Sequence, residues 1–354
     1  PRIIFINKVD KENSKFFNVL NAVSEKFKQP VVPIDIPLGE GANFKGVIDL
    51  IEMKAYIPEE NSPKVKVSDI PADMMELSKE YRDKLIEIIA ETDDEMTMKF
   101  LDGQELSAEE VKKGLSKGIT EGRAILATCG SSEKGIGIGR LLELIVKELP
   151  APDYNPVVEG FAPGKSGDKL KRKISSADPF SAFVFKTRVD QYSGRLNYIK
   201  VMSGKLTTES EMLNSNKNSW VKTQHIYVNM AGKLVETTAL HAGDIGVFSI
   251  VDSLSNGNTI CDGKNPIQYP DFKMPQPVYA LAVKAAEKKD EDKMNELFTR
   301  AGEEDPTFHL KYNPETHQNV ISGLGELQIN IIIESMKKKH KIEVLTELPS
   351  SANR

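Results

Sequence analysis

The spacing of hydrophobic and polar positions changes character along the chain. Residues 2–6 are a short, β-branched apolar run without alternation, the pattern of a strand buried on both faces of a parallel sheet. Residues 14–28 place Phe17, Leu20, Val23 and Phe27 at helical spacing, with Ser14 as the expected cap. Residues 29–37 read as extended, and 44–60 as strand, turn and strand. Residues 71–103 read as helix throughout, opening near Pro71 and breaking near Asp93 and Asp94. The stretch 107–122 opens with a Ser-x-x-Glu box, Ser107 and Glu110, and predicts another helix. Residues 124–129 are a second buried strand, and 137–150 an amphipathic helix stopped by Pro150. Strand–helix units at both ends of this region predict an α/β sheet carrying a long, helix-rich insert.

From residues 150–156 onward the pattern is different. Residues 164–178 are rich in Gly, Lys and Ser and read as an exposed linker or loop. Short alternating runs separated by glycine turns then extend to about residue 251, which predicts a small β-barrel or sandwich. Residues 278–346 give the order β-α-β-β-α-β, that of a ferredoxin-like sandwich. The expected fold class is multidomain: α/β, then all-β, then α+β.

Composition narrows the function. A chain of 354 residues has room for two to three domains. Its net charge of −5 excludes a generic nucleic-acid binder, while local basic stretches remain at "KLKRK" (169–173) and "KKKHK" (337–341). The two cysteines, Cys129 and Cys261, are far apart, which argues against a disulfide scaffold or a zinc site and suits a reducing, cytoplasmic setting. No apolar run reaches the length of a membrane span. The first residue, Pro1, stands directly before a core-type strand, so the chain is expected to be a piece of a longer protein.

The candidate chemistry lies where the first strand stops, at "NKVD". Guanine offers an N1–H and an exocyclic N2–H2 on one edge, and a carboxylate such as Asp10 can accept from both. The alkyl stem of Lys8 can lie along the base plane, and Asn7 can tie the loop to neighbouring phosphate-binding backbone. Such loops belong at the carboxyl ends of parallel strands. The same tetrapeptide also suits an ordinary polar turn. A second signal is "ILATCGSSEKGIG" (125–137), a buried strand ending in Gly130-Ser131-Ser132, whose backbone N–H groups could reach the guanine O6. "GIGIG" (135–139) lacks the spacing of a dinucleotide fingerprint and reads as a loop leading into a helix. "SGLGELQ" (322–328) reads as a strand-to-helix turn.

Taken in order, "NKVDKEN", "VVPIDIPLGEGANFKGVIDLIEMKAY", "DPFSAFVFKTRVDQYSGRLNYIKVMSGKL", "HAGDIG" and "EEDPTFHLKYNPETHQNVISGLGELQINIIIESMKKKHKIEV" resemble elongation factor G, the ribosomal translocase and a translational GTPase. "QHIYVNMAGKL" and "GSSEKGIGIGRLLELIVKELPAPD" are closer to its bacterial elongation-factor-G-like paralogues. The resemblance implies a domain plan. Residues 1–36 and 124–155 would be the C-terminal part of a P-loop GTPase domain, and 37–123 its inserted α/β subdomain. Residues 156–175 would be a linker, 176–272 the translation-factor β-barrel, and 273–348 the ferredoxin-like third domain.

The resemblance also assigns roles. Asn7, Lys8 and Asp10 would recognise guanine, and Ser131 and Ser132 would form the second base-contact loop, where the family usually has Ser-Ala. It implies GTP or GDP and Mg²⁺ as cofactors of the full-length protein, the ribosome as partner, and no membrane. No G-x-x-x-x-G-K-[ST] phosphate loop occurs in these residues, and no His follows a strand-ending D-x-x-G. No catalytic residue and no metal ligand is therefore expected in this chain. On its own it is expected to be monomeric, to bind nucleotide very weakly and to hydrolyse none. Two function classes stay open: a piece of a translocating GTPase, or a ribosome-associated paralogue or binding module with a recycling, regulatory or protective task.

Overall fold

The structure, a computed structural model, describes residues 1–59, 65–91, 94–104, 106–165, 167–190, 194–249 and 254–350. They fall into two compact units, Pro1–Ala151 and Pro152–Arg354.

In the first unit, β1 (Ile3–Ile6), β2 (Val31–Pro33) and β7 (Ile125–Cys129) form a parallel sheet in the order β1-β7-β2. All five residues of β7 are buried, as its unbroken apolar run requires for a central parallel strand. Helix α1 (Phe16–Lys26) connects β1 to β2, and α5 (Ile138–Glu148) follows β7. Ser14 is not the cap of α1. The helix begins at Phe16, whose N–H donates to Glu40 Oε1 at 2.8 Å, so a carboxylate from a distant loop serves its first turn.

An antiparallel sheet, β3 (Asp35–Leu38), β4 (Gly46–Asp49), β5 (Lys54–Pro58) and β6 (Val65–Ser68), branches from β2. It shares one core with α2 (Met75–Ala90) and α4 (Ala108–Thr120), through Ile36, Val47, Ile48, Leu85, Ile89, Leu115 and Ile119 among others. The stretch expected to be helical from 71 to 103 is divided. A short 3₁₀ turn at Ala72–Met74 leads into α2, and α3 (Asp94–Leu101) starts afresh; Asp93, at the expected break, lies outside the described residues. Helix α4 carries its capping box in full: the Glu110 N–H donates to Ser107 Oγ, and the Ser107 N–H to Glu110 Oε2.

The start of the second unit departs from expectation. Residues expected as linker form a hairpin, β8 (Val157–Phe161) with β9 (Lys169–Lys173). The "KLKRK" run alternates, so Leu170 turns inward with Val158 onto a small core of Cys261, Ile267 and Tyr269 while the lysines stay exposed. The all-β region follows: β10 (Ser181–Asp190), β11 (Gly194–Ser203), β12 (Lys205–Thr207), β13 (Glu211–Asn214), β14 (Ser219–Lys222), β15 (Ile226–Met230), β16 (Lys233–Thr237), β17 (Ala239–His241), β18 (Ile245–Ser249) and β19 (Thr259–Cys261). Eight of these strands form one sheet in the order β14-β13-β19-β10-β11-β18-β15-β16. Val221 of β14 and Ile226 of β15 lie near opposite ends of that order yet share a core with Ala182, Ile199 and Phe248, so the sheet curls on itself. The pair β12–β17 adds Leu206 and Leu240 to the same core.

The last part is β20 (Tyr279–Ala285), α6 (Glu291–Glu304), β21 (His309–Asn313), β22 (Gln318–Gly323), α7 (Glu326–His340) and β23 (Val344–Glu347), in sheet order β21-β22-β20-β23. This is the ferredoxin-like sandwich. Met294, Leu297 and Phe298 of α6 and Ile329 and Met336 of α7 pack with Val283 and Ile321 of the sheet. "SGLGELQ" is a strand-to-helix turn closed by its own side chain: the Leu324 N–H donates to Gln328 Oε1 at 2.6 Å.

Candidate functional site: two loops at the carboxyl end of a parallel sheet

Because β1 and β7 are neighbours in register, Ile6 opposite Cys129, their following loops emerge side by side. Residues 7–11 leave β1 and residues 130–137 leave β7, the position at which open α/β sheets bind ligands. The loops are fastened to each other by backbone: the Gly130 N–H donates to the Ile6 carbonyl and the Val9 N–H to the Gly130 carbonyl. Val9 itself is fully buried and anchors its loop from below.

Asn7 is the stitch between the loops. Its Oδ1 accepts from the Lys8 N–H at 2.8 Å and the Ser132 N–H at 2.9 Å, while its Nδ2 donates to Ser132 Oγ at 2.9 Å. Within these residues Asn7 thus fastens its own loop to the loop that follows β7. Lys8 sits at φ 64°, a left-handed conformation that β-branched residues avoid, and its side chain is exposed.

Asp10 turns inward. Its side chain is only 4% exposed, and Oδ1 is buried without a hydrogen-bond donor among the described residues. The hydroxyl of Ser131 beside it is the main cause holding the carboxyl below the usual range. Burial opposes this, second in size to the Ser131 bond, while its own backbone N–H, Lys11 and Lys134 add to the lowering. Asp10 is thus an ionised acceptor with an unused oxygen. Lys11 bridges across to Glu133, Nζ to Oε2 at 2.6 Å, closing the outer rim.

Gly130 and Gly137 are required where they stand. A Cβ on Gly130 would come within 2.3 Å of the Ile136 carbonyl and 2.8 Å of the Phe5 ring. One on Gly137, at φ 80°, would meet the Cys129 carbonyl at 2.3 Å. The small-residue loop is therefore shaped by close backbone approach. Its N–H groups are not free for a ligand: Gly130 donates to Ile6, Ser131 to the Ile136 carbonyl at 2.9 Å, and Ser132 to Asn7. The expected amide contacts to guanine O6 would have to replace one of these.

The sequence reading missed two supports. Asp49, in β4, is 1% exposed and pairs with Arg140 at the start of α5, while its Oδ1 accepts from the Ile51 and Glu52 N–H groups at 2.7 and 2.8 Å. Asp35, the first residue of β3, is completely buried against Thr128 and Cys129. Both could have been noticed as lone carboxylates inside otherwise apolar extended runs.

The basic stretches are largely engaged. Lys169 and Lys171 face Glu159, Lys338 pairs with Glu334, and Lys337 approaches Glu343. Among the described residues there is no group of three or more His, Cys, Asp or Glu side chains able to hold a metal, and no helix is long and apolar enough to cross a membrane.

Comparison with known proteins agrees with this architecture. Residues 179–263 match the family description "Elongation factor G domain 2", and residues 274–347 match "Elongation Factor G, domain III". The chain is elongation factor G-like. A crystal structure of a protein from Thermus thermophilus superposes with a TM-score of 0.80 at 27% identity, covering 99% of this chain and 49% of that one. The chain thus spans about half the length of that protein. The two matched regions are the curled β-sheet and the ferredoxin-like sandwich. Elongation factor G is, as a family, a GTPase.

Proposed function

We propose that the chain is part of a ribosome-binding translational GTPase acting in translocation, and that its first unit reads the guanine base. One observation carries the second half: Asp10 holds an ionised, buried carboxylate with an orphaned oxygen between two loops stitched by Asn7. An acceptor of that kind fits a ligand edge bearing two N–H donors, which guanine has and adenine lacks. Lys8 would cover the base and the loop 130–132 would flank it, with Ser131 keeping Asp10 charged. GTP, with Mg²⁺, would supply the scissile γ-phosphate. The residues here would bind and orient the base alone, since the 354 residues hold no phosphate-loop motif. Affinity of this chain for GDP is accordingly expected to be weaker than micromolar. The ribosome is the partner that the elongation factor G-like second unit implies.

Two measurements on the purified chain test this. Saturation-transfer NMR with GDP against ADP should show contact with the guanine ring only, and equal signals from both bases would end the base-reading proposal. Cosedimentation with 70S ribosomes should deplete the chain from the supernatant in low salt, and failure to do so would count against the ribosomal role. For translocation itself, the longer protein would be assayed for ribosome-stimulated GTP hydrolysis together with tRNA–mRNA movement. Stimulation without movement would favour a paralogue with another task.

A further inference from the structure

Strand β2 pairs with β7 only as far as Pro33, opposite Ala127. In β7 the odd-numbered N–H groups point toward β2, as Ile125 does in donating to the Pro30 carbonyl, and the even-numbered ones point toward β1. By this alternation the Cys129 N–H should meet the Ile34 carbonyl. That carbonyl is already taken by the Leu50 N–H, because at Asp35 the chain leaves the parallel sheet and enters the antiparallel one. Among the described residues the last ladder position of β7 finds no backbone acceptor. The Asp35 carboxylate fills it: Oδ1 accepts from the Cys129 N–H at 2.8 Å and Oδ2 from Thr128 Oγ1 at 2.5 Å.

We propose that Asp35 is a positioning residue of the base-reading site, holding the end of β7 so that the loop after it meets Asn7 and Asp10. The path is short and continuous. Asp35 grips residues 128 and 129. Gly130, next in the chain, exchanges backbone bonds with Ile6 and Val9, and Ser131 and Ser132 then reach Asp10 and Asn7. Asp35 touches no ligand and acts only through this backbone. The proposal rests on the base-reading function above, so its test has one arm that does not depend on any nucleotide.

Burial holds the Asp35 carboxyl up at about 6, against its hydrogen bonds from Thr128 and Cys129 and the charge of Arg140. The groups facing it are Arg140 of α5 and the thiol of Cys129, itself pushed far up by burial. Asp49, paired to Arg140, and Glu40, whose charge acts on Cys129, complete the charged surroundings. The grip on β7 should thus depend on pH in a way that an amide at residue 35 would not.

The experiment uses the whole chain with Asp35→Leu and Asp35→Asn. Hydrogen exchange read by mass spectrometry should show the peptide over residues 128–134 exchanging about 10- to 100-fold faster in Asp35→Leu, the loss expected for a charge-assisted bond. The helix α4 should be unchanged. Asp35→Asn keeps an acceptor for the Cys129 N–H and should recover most of the protection, but without the wild type's change between pH 5 and 7. Saturation-transfer contrast between GDP and ADP should fall in Asp35→Leu and return in Asp35→Asn. Unchanged exchange at 128–134 in Asp35→Leu, or loosening spread evenly over the first unit, would overturn the proposal. So would a loosened loop with full base contrast. If the wild type shows no base contrast, the base-reading function fails and with it this role, while the exchange arm still decides what Asp35 does to the loop. Should Asp35→Leu not fold, the pH dependence of exchange in wild type against Asp35→Asn decides the same point.

Discussion

Replacing Arg140 by leucine isolates the ion pair that ties α5 to β4. The Arg140 side chain is 11% exposed and that of Asp49 is 1% exposed, so removing the cation leaves a carboxylate stranded away from water. Breaking a buried pair from one side costs about 3–5 kcal/mol. Asp49 keeps two backbone donors on Oδ1, which places the loss near the lower end, about 3 kcal/mol. Exchange of the β4–β5 amides should then speed up by roughly 100-fold, since each tenfold corresponds to about 1.4 kcal/mol. Burial already raises the Asp49 carboxyl, and losing Arg140 raises it further, so the stranded group can escape by taking up a proton. The loss should therefore be largest near pH 8 and shrink toward pH 5. The double variant Asp49→Asn/Arg140→Leu should be more stable at pH 8 than Arg140→Leu alone, a coupling of about 1–3 kcal/mol. A single-variant loss under about 1 kcal/mol at pH 8, or one that does not vary with pH, would refute the reasoning.

Other outcomes follow from the same geometry. Asp10→Asn turns one acceptor oxygen into a donor and should shift saturation-transfer contact from guanine to xanthine nucleotides, whose base carries a carbonyl where guanine has its amine. For Asp35, whose carboxyl rises from 3.8 to about 6, the folded chain binds the extra proton. Stability from this group is full below about pH 4 and lost as pH rises through 6, by up to about 3 kcal/mol, and urea titrations of Asp35→Asn should lack that component. Gly130→Ala forces a Cβ against the Ile136 carbonyl and should cost about 1–3 kcal/mol in urea unfolding while releasing the 130–137 loop in hydrogen exchange. Phe298→Ala empties the centre of the ferredoxin-like core and should destabilise the second unit by about 3–5 kcal/mol, read as earlier urea-induced loss of β-sheet signal.

Much of the fold was legible because local rules and tertiary needs agree. The unbroken run of β7, the capping box at Ser107 and the β-α-β-β-α-β order each have one structural solution that buries their apolar residues. The reading failed where composition outweighed periodicity. Residues 164–178 look like a linker by their Gly, Lys and Ser content, yet "KLKRK" alternates, and a single leucine and its partner Val158 seat a hairpin. Ser14 has the chemistry of a cap, but Glu40, 24 residues from Phe16, takes the task.

The same division holds at the site. Sequence alone determined that Asn7, Lys8 and Asp10 follow one apolar strand and Gly130, Ser131 and Ser132 another, because strand periodicity is a local fact. Only the tertiary structure decided that the two strands are neighbours in register, that Asn7 fastens Ser132, and that Asp35 stands in for a missing backbone acceptor. The reason is physical. A hydrogen-bond ladder must be satisfied wherever it is buried, and which group satisfies its last position depends on where a second sheet branches off, 94 residues away in the chain.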